Sequence, residues 1–530
     1  MLRIGKRDRE ALIDPLFRVG SGFYLLLAVL ILVMLWGLIM WVRQVVLGLG
    51  TTGMDRPTYW GIYMVNFIFF IGISHAGTLI SAILRVTQAE WRRPITRIAE
   101  AITAFALVVG TLQIFFDLGR PDRLLFLFRY GRLQSPLLWD AVSVTAYFLG
   151  SVTYLYLPII PDAALIRDNL PEGAPAWRRR FYSLLALGWR GNRTQWIRLE
   201  KTIAVMAVLI IPIAVSVHTV ISWILATTVQ PGWHSTVFGP YFVVGAIFSG
   251  IGALFIAMTV ARRAMHLEAY ITERQYRNLG YIFITMSAVW FYFTYAEHMT
   301  QAAGQLKEEF PVLASKLWGP FSFSFWSMVA VMLLAFIVLV FPQLTPASWQ
   351  RSRVFRPRFA LVSAAVSAVA ILLVQLPQTQ TVAADLLPTL PSFALWFIAA
   401  VFGLVALANI LPWLKGHIVD AMVIASAFVL IGMWLERWNI VVPTMTHPRL
   451  MPESWYTPTL TEWSLFAASI ALFIFLFLVF FKLVPAVSVW EVREGRVIDD
   501  VRARARVPMP EPSPTGAGLQ PAFGDNEPSY

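Results

Sequence analysis

Ionisable side chains set among long apolar runs are the chemically informative residues of this chain. His75 lies within the run 59–84, Asp117 ends the run 95–116, and Asp140 lies a few residues into the next run. An ionisable group at membrane depth costs several kcal/mol unless it has a partner or borders water. Each of these residues is therefore a candidate for a functional role.

Proton-coupled oxidation of a lipid-soluble quinol is the chemistry that suits these residue types. The quinol hydroxyls need hydrogen-bond acceptors, each released proton needs a titratable group, and histidine and carboxylates serve both needs. Counting residues along the spans places the acids at the outer end of the membrane and the histidines deeper in it. Trp139 is able to pack against the quinol ring. The candidate residues are His75, Asp117, Trp139, Asp140, His218, Glu436 and Arg437.

Structural roles are an alternative for several of these residues. A lone intramembrane histidine is often only a hydrogen bond between helices, and Asp140 lies in a first helical turn, where a negative charge is favourable. Glu436 and Arg437 are compatible with a local interfacial ion pair. Haem is not predicted, because only His75 and His218 are intramembrane histidines and their estimated depths differ.

The composition predicts an all-α polytopic membrane protein. The chain is 58% hydrophobic and 14% charged over 530 residues, and its apolar runs reach the roughly 20 residues that cross a bilayer. The runs lack the alternation of barrel strands, which leaves helices. The chain has no cysteine, so any iron–sulfur cluster or c-type haem must lie in another subunit, and no metal site or nucleic-acid partner is predicted.

Ten to twelve transmembrane helices are predicted, after a polar N-terminal segment (1–22) that lacks a cleavable signal. A tail rich in Pro, Gly and charge, 493–530, is predicted to be disordered. The basic stretch 177–198 suits contact with lipid head groups. The twelve candidate spans are 23–46, 59–84, 95–116, 137–157, 202–226, 238–260, 279–296, 321–341, 359–376, 393–411, 418–435 and 463–481.

Charge predicts that both termini face the cytoplasm. With that orientation, 32 of the 42 Lys and Arg residues fall on the cytoplasmic side and 10 on the other. The outer connection between the third and fourth spans is the exception. Either this short connection is an exception to the enrichment of Lys and Arg in cytoplasmic loops, or its arginines meet a docked subunit or an anionic group. These arginines are Arg120, Arg123, Arg129 and Arg132.

Several motifs resemble the NrfD/PsrC-type quinone-interacting membrane subunits, and within them the ActC-type subunits of bacterial alternative complex III. The resemblance covers most of 23–492, and its C-terminal motif is the most specific part. The motifs are GIYMVNFIFFIGISHAGTLISAILR (61–85), DLGRP (117–121), SPLLWD (135–140), PQL (342–344), GMWLERWNIVVPTMTHPRL (432–450) and YTPTLTEWS (456–464).

The resemblance implies a fold of two four-helix bundles with peripheral helices in a bacterial inner membrane. It also implies a menaquinol site at the outer face, against an iron–sulfur subunit that takes the electrons. Further implied partners are a homologous NrfD-like subunit and c-type cytochrome subunits. The matching site residues are His75, Asp117, Asp140 and Arg437.

The sequence departs from the family at an interposed segment, about 351–416, which we expect to form an extra peripheral hairpin. Two other functions stay open. One is a purely anchoring sister subunit, and the other is redox-driven proton translocation through the bundles. Polar stepping points for protons would be Thr111, Gln113, Ser143, Ser216, Ser249, Thr285 and Ser287.

Overall fold

The structure is a computed structural model that describes residues 5, 8–171, 173–344, 361–369, 403, 414 and 416–505. Within these ranges ten helices are long and apolar enough to cross a membrane, so the predicted all-α polytopic class is confirmed. The predicted spans 359–376 and 393–411 and the extra hairpin lie largely outside the described residues. The ten helices are α1 (Ser21–Leu47), α2 (Ile62–Val86), α3 (Thr96–Asp117), α4 (Pro136–Tyr156), α5 (Arg193–Ala226), α6 (Phe238–Ala264), α7 (Glu273–Gly304), α8 (Ser322–Leu344), α9 (Ile418–Thr446) and α10 (Leu460–Leu483).

Helix length follows from the bilayer. A backbone in lipid must satisfy its own hydrogen bonds, which an α-helix does within one segment. The 25 residues of α2 rise roughly 37 Å at 1.5 Å per residue, enough to cross a hydrocarbon core of about 30 Å. The short helix Ile159–Asp168 continues α4 after a turn.

Two four-helix bundles form the core. Helices α2, α3, α4 and α5 pack together as the first bundle, and α6, α7, α8 and α9 as the second. The bundles join chiefly where α6 packs against α2, with α9 also touching α2. Helices α1 and α10 pack on each other at the side of the first bundle. This arrangement agrees with the predicted bundles and peripheral helices.

Side-chain contacts define the two ends of the bundles. At the end that holds both described termini, here the terminal end, Arg496 pairs with Asp8 and Arg93 with Glu494. At the opposite, distal end, the Gly53 amide donates to Glu462 at 2.7 Å. The connection between α3 and α4, which carries the four arginines, lies at the distal end.

Two helices extend beyond their predicted ends. Helix α9 continues to Thr446 rather than ending at 435, and α7 continues to Gly304 rather than ending at 296. Hydropathy falls at Glu436 and at Glu297, but both side chains are buried with polar partners, so the helix does not have to end there. Both acids therefore lie inside helices.

The C-terminal segment begins as a helix, Val489–Ala505, that packs at the terminal end. The first part of the segment assigned to a disordered tail is therefore helical. Residues 506–530 lie outside the described residues.

Candidate functional site

Two histidines meet inside the first bundle. His75 of α2 and His218 of α5 are fully buried, and their ring centroids lie 3.8 Å apart. The two rings meet although the sequence placed the two residues at different depths. Side chains tilt toward the N-terminus of their own helix, and α2 and α5 run in opposite directions, so the two rings extend toward each other.

Both ring nitrogens of His75 contact backbone carbonyl oxygens. Its Nδ1 lies 2.9 Å from the carbonyl oxygen of Ile71, and its Nε2 contacts the carbonyl oxygen of Ala214. A neutral imidazole has one N–H and can donate to only one of these carbonyls, whereas a protonated ring can donate to both. Both carbonyls can therefore accept an N–H of His75 only when the ring is protonated.

Polar atoms without a hydrogen-bond partner lie in the His75–His218 pair and beside it. Within the described part of the chain, neither ring nitrogen of His218 has a hydrogen-bond partner, and Nη2 of the buried Arg437 is also unpaired. The charge of Arg437 acts electrostatically on His218. A buried donor or acceptor without a partner costs about 1–3 kcal/mol, so this place has unused capacity to bind a polar ligand. We call His75, His218, Glu436 and Arg437 the junction cluster.

Small residues make room for Arg437 between the bundles. A Cβ on Gly245 of α6 would lie 2.8 Å from Nη2 of Arg437, and one on Gly72 of α2 would lie 3.8 Å from it. The guanidinium carbon also lies 5.2 Å from the centroid of the Phe242 ring. The guanidinium therefore lies at the contact between α9, α6 and α2.

Glu436 holds Arg437 in place from the second bundle. One carboxylate oxygen accepts from Trp290 Nε1 of α7 at 2.6 Å, and the other accepts from Arg437 Nη1. Both charged side chains are only 1% exposed. Glu436 and Arg437 therefore do form a local ion pair, which is buried inside the protein.

Asp140 lies on the same face of α4 as Tyr147, two helical turns away. Tyr147 packs on His75 with ring centroids 4.9 Å apart. The rise of seven residues is roughly 10 Å, so Asp140 lies on the distal side of the junction cluster and does not contact it. Its buried Oδ1 has no hydrogen-bond partner among the described residues.

Asp117 belongs to a different neighbourhood. It ends α3 at the distal end, where it interacts electrostatically with Tyr63 and Glu462. Glu462 belongs to α10 and accepts from Tyr456 and from backbone amides. The sequence predicted that Asp117 converges with Arg437, and the structure instead places Asp117 beside α1 and α10.

Trp139 does not line the junction cluster. Its indole Nε1 donates to the carbonyl oxygen of Leu133 at 2.5 Å, and the residue is 39% exposed. The ring lies at the distal surface with other exposed apolar side chains of the connection, Leu125, Phe126, Phe128 and Leu133.

Sequence reasoning missed Tyr147, Trp290 and Glu100. Tyr147 follows Asp140 by seven residues, and this helical spacing in the sequence could have indicated that the two side chains share one face of α4. Glu100 is a fully buried acid near the start of α3, inside the predicted span 95–116. Among the described residues, no group of three or more His, Asp or Glu side chains is placed to hold a metal ion.

Comparison with known proteins agrees with this architecture. A relative from Halobacterium salinarum, provisionally named as the membrane component of a dimethyl sulfoxide reductase, is 29% identical over 48% of this chain and 55% of its own length. A selenate reductase subunit of Mesobacillus selenatarsenatis is 25% identical over 38% of this chain and 48% of its own. The Hdr-like menaquinol oxidoreductase integral membrane subunit of Archaeoglobus fulgidus is 24% identical over 56% of this chain and 65% of its own.

The chain thus spans between about half and two thirds of the length of these curated relatives. Each of them is named as one subunit of an oxidoreductase. The family model described as polysulphide reductase, NrfD, matches residues 50–356, which include α2 to α8 and more than half of the chain. The chain therefore belongs to the NrfD family of membrane subunits.

Proposed function

We propose that this chain is the quinol-binding membrane subunit of an electron-transfer complex and that the junction cluster binds the quinol head group. The observation that carries the proposal is the contact of His75 and His218 beside the unpaired Nη2 of Arg437. A quinol hydroxyl can donate to the unprotonated ring nitrogen of His218, and a quinol oxygen can accept from Arg437.

The reaction converts one quinol into one quinone, two protons and two electrons. The two electrons pass to an iron–sulfur cluster of a partner subunit, since this chain contains no cysteine to hold one. The two protons pass first to the histidines, and two backbone carbonyls can each accept an N–H from a protonated His75. Arg437 orients the head group and stays charged throughout.

The charge distribution in the sequence assigns the terminal end to the cytoplasm and the distal end to the outer face of a bacterial inner membrane. Asp140 lies between the junction cluster and the distal end, so it suits transfer of protons outward. The exposed connection 118–135 with its four arginines lies at the same end. We assign the iron–sulfur partner to that face.

The relatives favour a quinol as the substrate class. One bears the name of a menaquinol oxidoreductase membrane subunit, and two bear names of reductase subunits. The motif 432–450 and the DLGRP loop narrow the proposal to the ActC-type subunit of alternative complex III. In that setting a homologous membrane subunit and c-type cytochromes are the further partners.

Substitution of His218 tests the proposal. In the assembled complex, His218→Ala removes the unpaired nitrogens, and we expect menaquinol oxidation to fall by about a hundredfold or more. Menaquinol binding by titration should weaken in parallel, while the complex stays fully assembled. The matched control is His266→Asn, in the exposed loop after α6. Wild-type turnover in His218→Ala would overturn the proposal and favour an anchoring role.

Proton translocation is a second candidate function, because a polar chain leads from His75 toward the terminal end. Tyr147 donates to the Ser74 carbonyl at 3.0 Å, and the buried hydroxyls of Thr78 and Ser151 have no hydrogen-bond partner among the described residues. Ser81 then lies 3.5 Å from the Tyr154 hydroxyl and 2.8 Å from Glu100 Oε1. These polar groups thus lead toward a buried acid.

The stepping points expected from the sequence do not form such a chain. Five of them donate to carbonyl oxygens of their own helices, which is the usual structural role of such residues. Gln113 also donates to a carbonyl of its own helix, that of Val109, and makes a further bond to Ser469, whereas the Ser287 hydroxyl has no partner among the described residues. The five are Thr111, Ser143, Ser216, Ser249 and Thr285.

A further inference from the structure

A cavity bordered by charged side chains lies at the distal end of the second bundle. Its volume of about 20 Å³ leaves room for a water molecule but not for a six-membered ring. Glu436 of the junction cluster lines it on one side, and Glu297 and Lys316 line it on the other. The cavity therefore connects the buried Glu436–Arg437 pair with a second set of charged groups.

Glu297 is the acid of this second set. It is 5% exposed, and its carboxylate accepts from Gln301 Nε2 at 2.9 Å and from the Ser235 hydroxyl. Glu309 and Lys316 both act electrostatically on it. Glu297 thus lies between a positive charge and a second carboxylate.

Lys316 is a buried cation on the short helix Phe310–Leu317, outside the membrane-spanning helices. It is 7% exposed and lies within 4.0 Å of no carboxylate oxygen in the described part of the chain. Burial lowers the pKa of Lys316 to about 8, although the Glu297 carboxylate opposes this shift. A buried ammonium without a close partner is costly, so its presence calls for a role.

The far side of this set reaches the surface. His234 Nε2 lies 2.8 Å from a carboxylate oxygen of Glu309, and the His234 side chain is 53% exposed. Glu436, the cavity, Glu297, Glu309 and His234 therefore form a series from the junction cluster to the distal surface. Tyr241 also lines the cavity, and its hydroxyl interacts with Glu436.

We propose that this cavity is a proton outlet, in which water carries protons from Glu436 to Glu297 and Lys316 promotes their release from Glu297 toward Glu309 and His234. The inference rests on the proposed quinol oxidation, which supplies the protons. A nearby ammonium stabilises the ionised form of a carboxyl group. Lys316 therefore favours release of a proton by Glu297 over its retention. It acts as a positioning residue that does not contact the quinol.

The test compares four variants in the assembled complex, with menaquinol as donor and a dye as electron acceptor. We expect Glu297→Gln, which keeps the side-chain shape, to lower kcat by about tenfold or more with KM for menaquinol unchanged. Lys316→Met should lower kcat by about threefold or more, and Lys316→Arg should restore it because the charge returns. Glu308→Gln, on the exposed segment before Phe310–Leu317, is the matched control.

The outcomes separate this inference from the proposed function. If the wild-type complex oxidises menaquinol and Glu297→Gln keeps its kcat within about twofold of wild type, the outlet is wrong and the quinol site stands. A rise in KM without a change in kcat, or failure of Lys316→Arg to restore an impaired Lys316→Met, also contradicts the outlet. A wild-type complex that neither binds nor oxidises menaquinol overturns both.

Discussion

Gly245 lies directly against Arg437, so that a Cβ added to the glycine would come 2.8 Å from Nη2 of the guanidinium. Real Cβ atoms do not approach a neighbour so closely, and the interior around Arg437 is packed. The space for the arginine between α6 and α9 therefore depends on the missing side chain of Gly245.

Gly245→Ala should displace Arg437 and weaken quinol binding. We expect KM for menaquinol to rise about tenfold in the assembled complex, because the guanidinium no longer lies beside His218. Gly252→Ala is the control on the same helix, since its Cβ would meet Ser426 only at an ordinary 3.5 Å. Equal KM values for the two variants would show that the position of Arg437 does not matter for binding.

Glu100→Gln tests the polar chain from His75 to the terminal end. If this chain conducts protons, loss of the acid should lower the number of protons translocated per electron in liposomes. Oxidation of menaquinol in detergent should continue, because the junction cluster is intact. Thr153→Val is the control, since Thr153 is exposed on α4 and donates only to its own helix. An unchanged number of protons translocated per electron in Glu100→Gln would exclude proton translocation along this chain as a second function.

Glu491 should make the C-terminal helix sensitive to acid. Burial raises the pKa of Glu491, but the charges of Arg92, Arg85 and Arg97 outweigh burial and lower the pKa overall from its ordinary value near 4.5. A carboxyl group with a lowered pKa in the folded state stabilises that state above the ordinary value. This stability is lost as the pH falls below about 4.5 and through the folded-state pKa.

Hydrogen exchange of the helix Val489–Ala505 measures this effect. Protection should decrease as the pH falls through that range, after correction for the intrinsic exchange rate. In Glu491→Gln the helix should be less protected at neutral pH and should lose most of its pH dependence. A helix whose protection falls identically in the wild type and the variant would exclude Glu491 as the cause.

The sequence predicted the helices well because lipid imposes length and hydropathy on each span separately, whereas the two bundles were implied by the family resemblance. It predicted the site only in part, because the site depends on which helix faces meet. The pairing of His75 and His218 depends on opposite tilts of side chains on antiparallel helices, which counting along spans does not include. Glu436 and Arg437 pair with each other inside α9. The helix therefore does not end at these charged residues, although the sequence had predicted that it would.

Asp140 and Asp117 should differ in effect, although the sequence placed them in one cluster. Asp140 lies on the face of α4 that leads to Tyr147 and His75, so Asp140→Asn should lower kcat for menaquinol oxidation by about tenfold or more. Asp117 lies beside Tyr63 and Glu462, so Asp117→Asn should keep kcat within about threefold of wild type. Both changes preserve side-chain shape, and each variant is the control for the other. A larger loss of kcat in Asp117→Asn than in Asp140→Asn would place the proton path along α1 and α10 instead of α4.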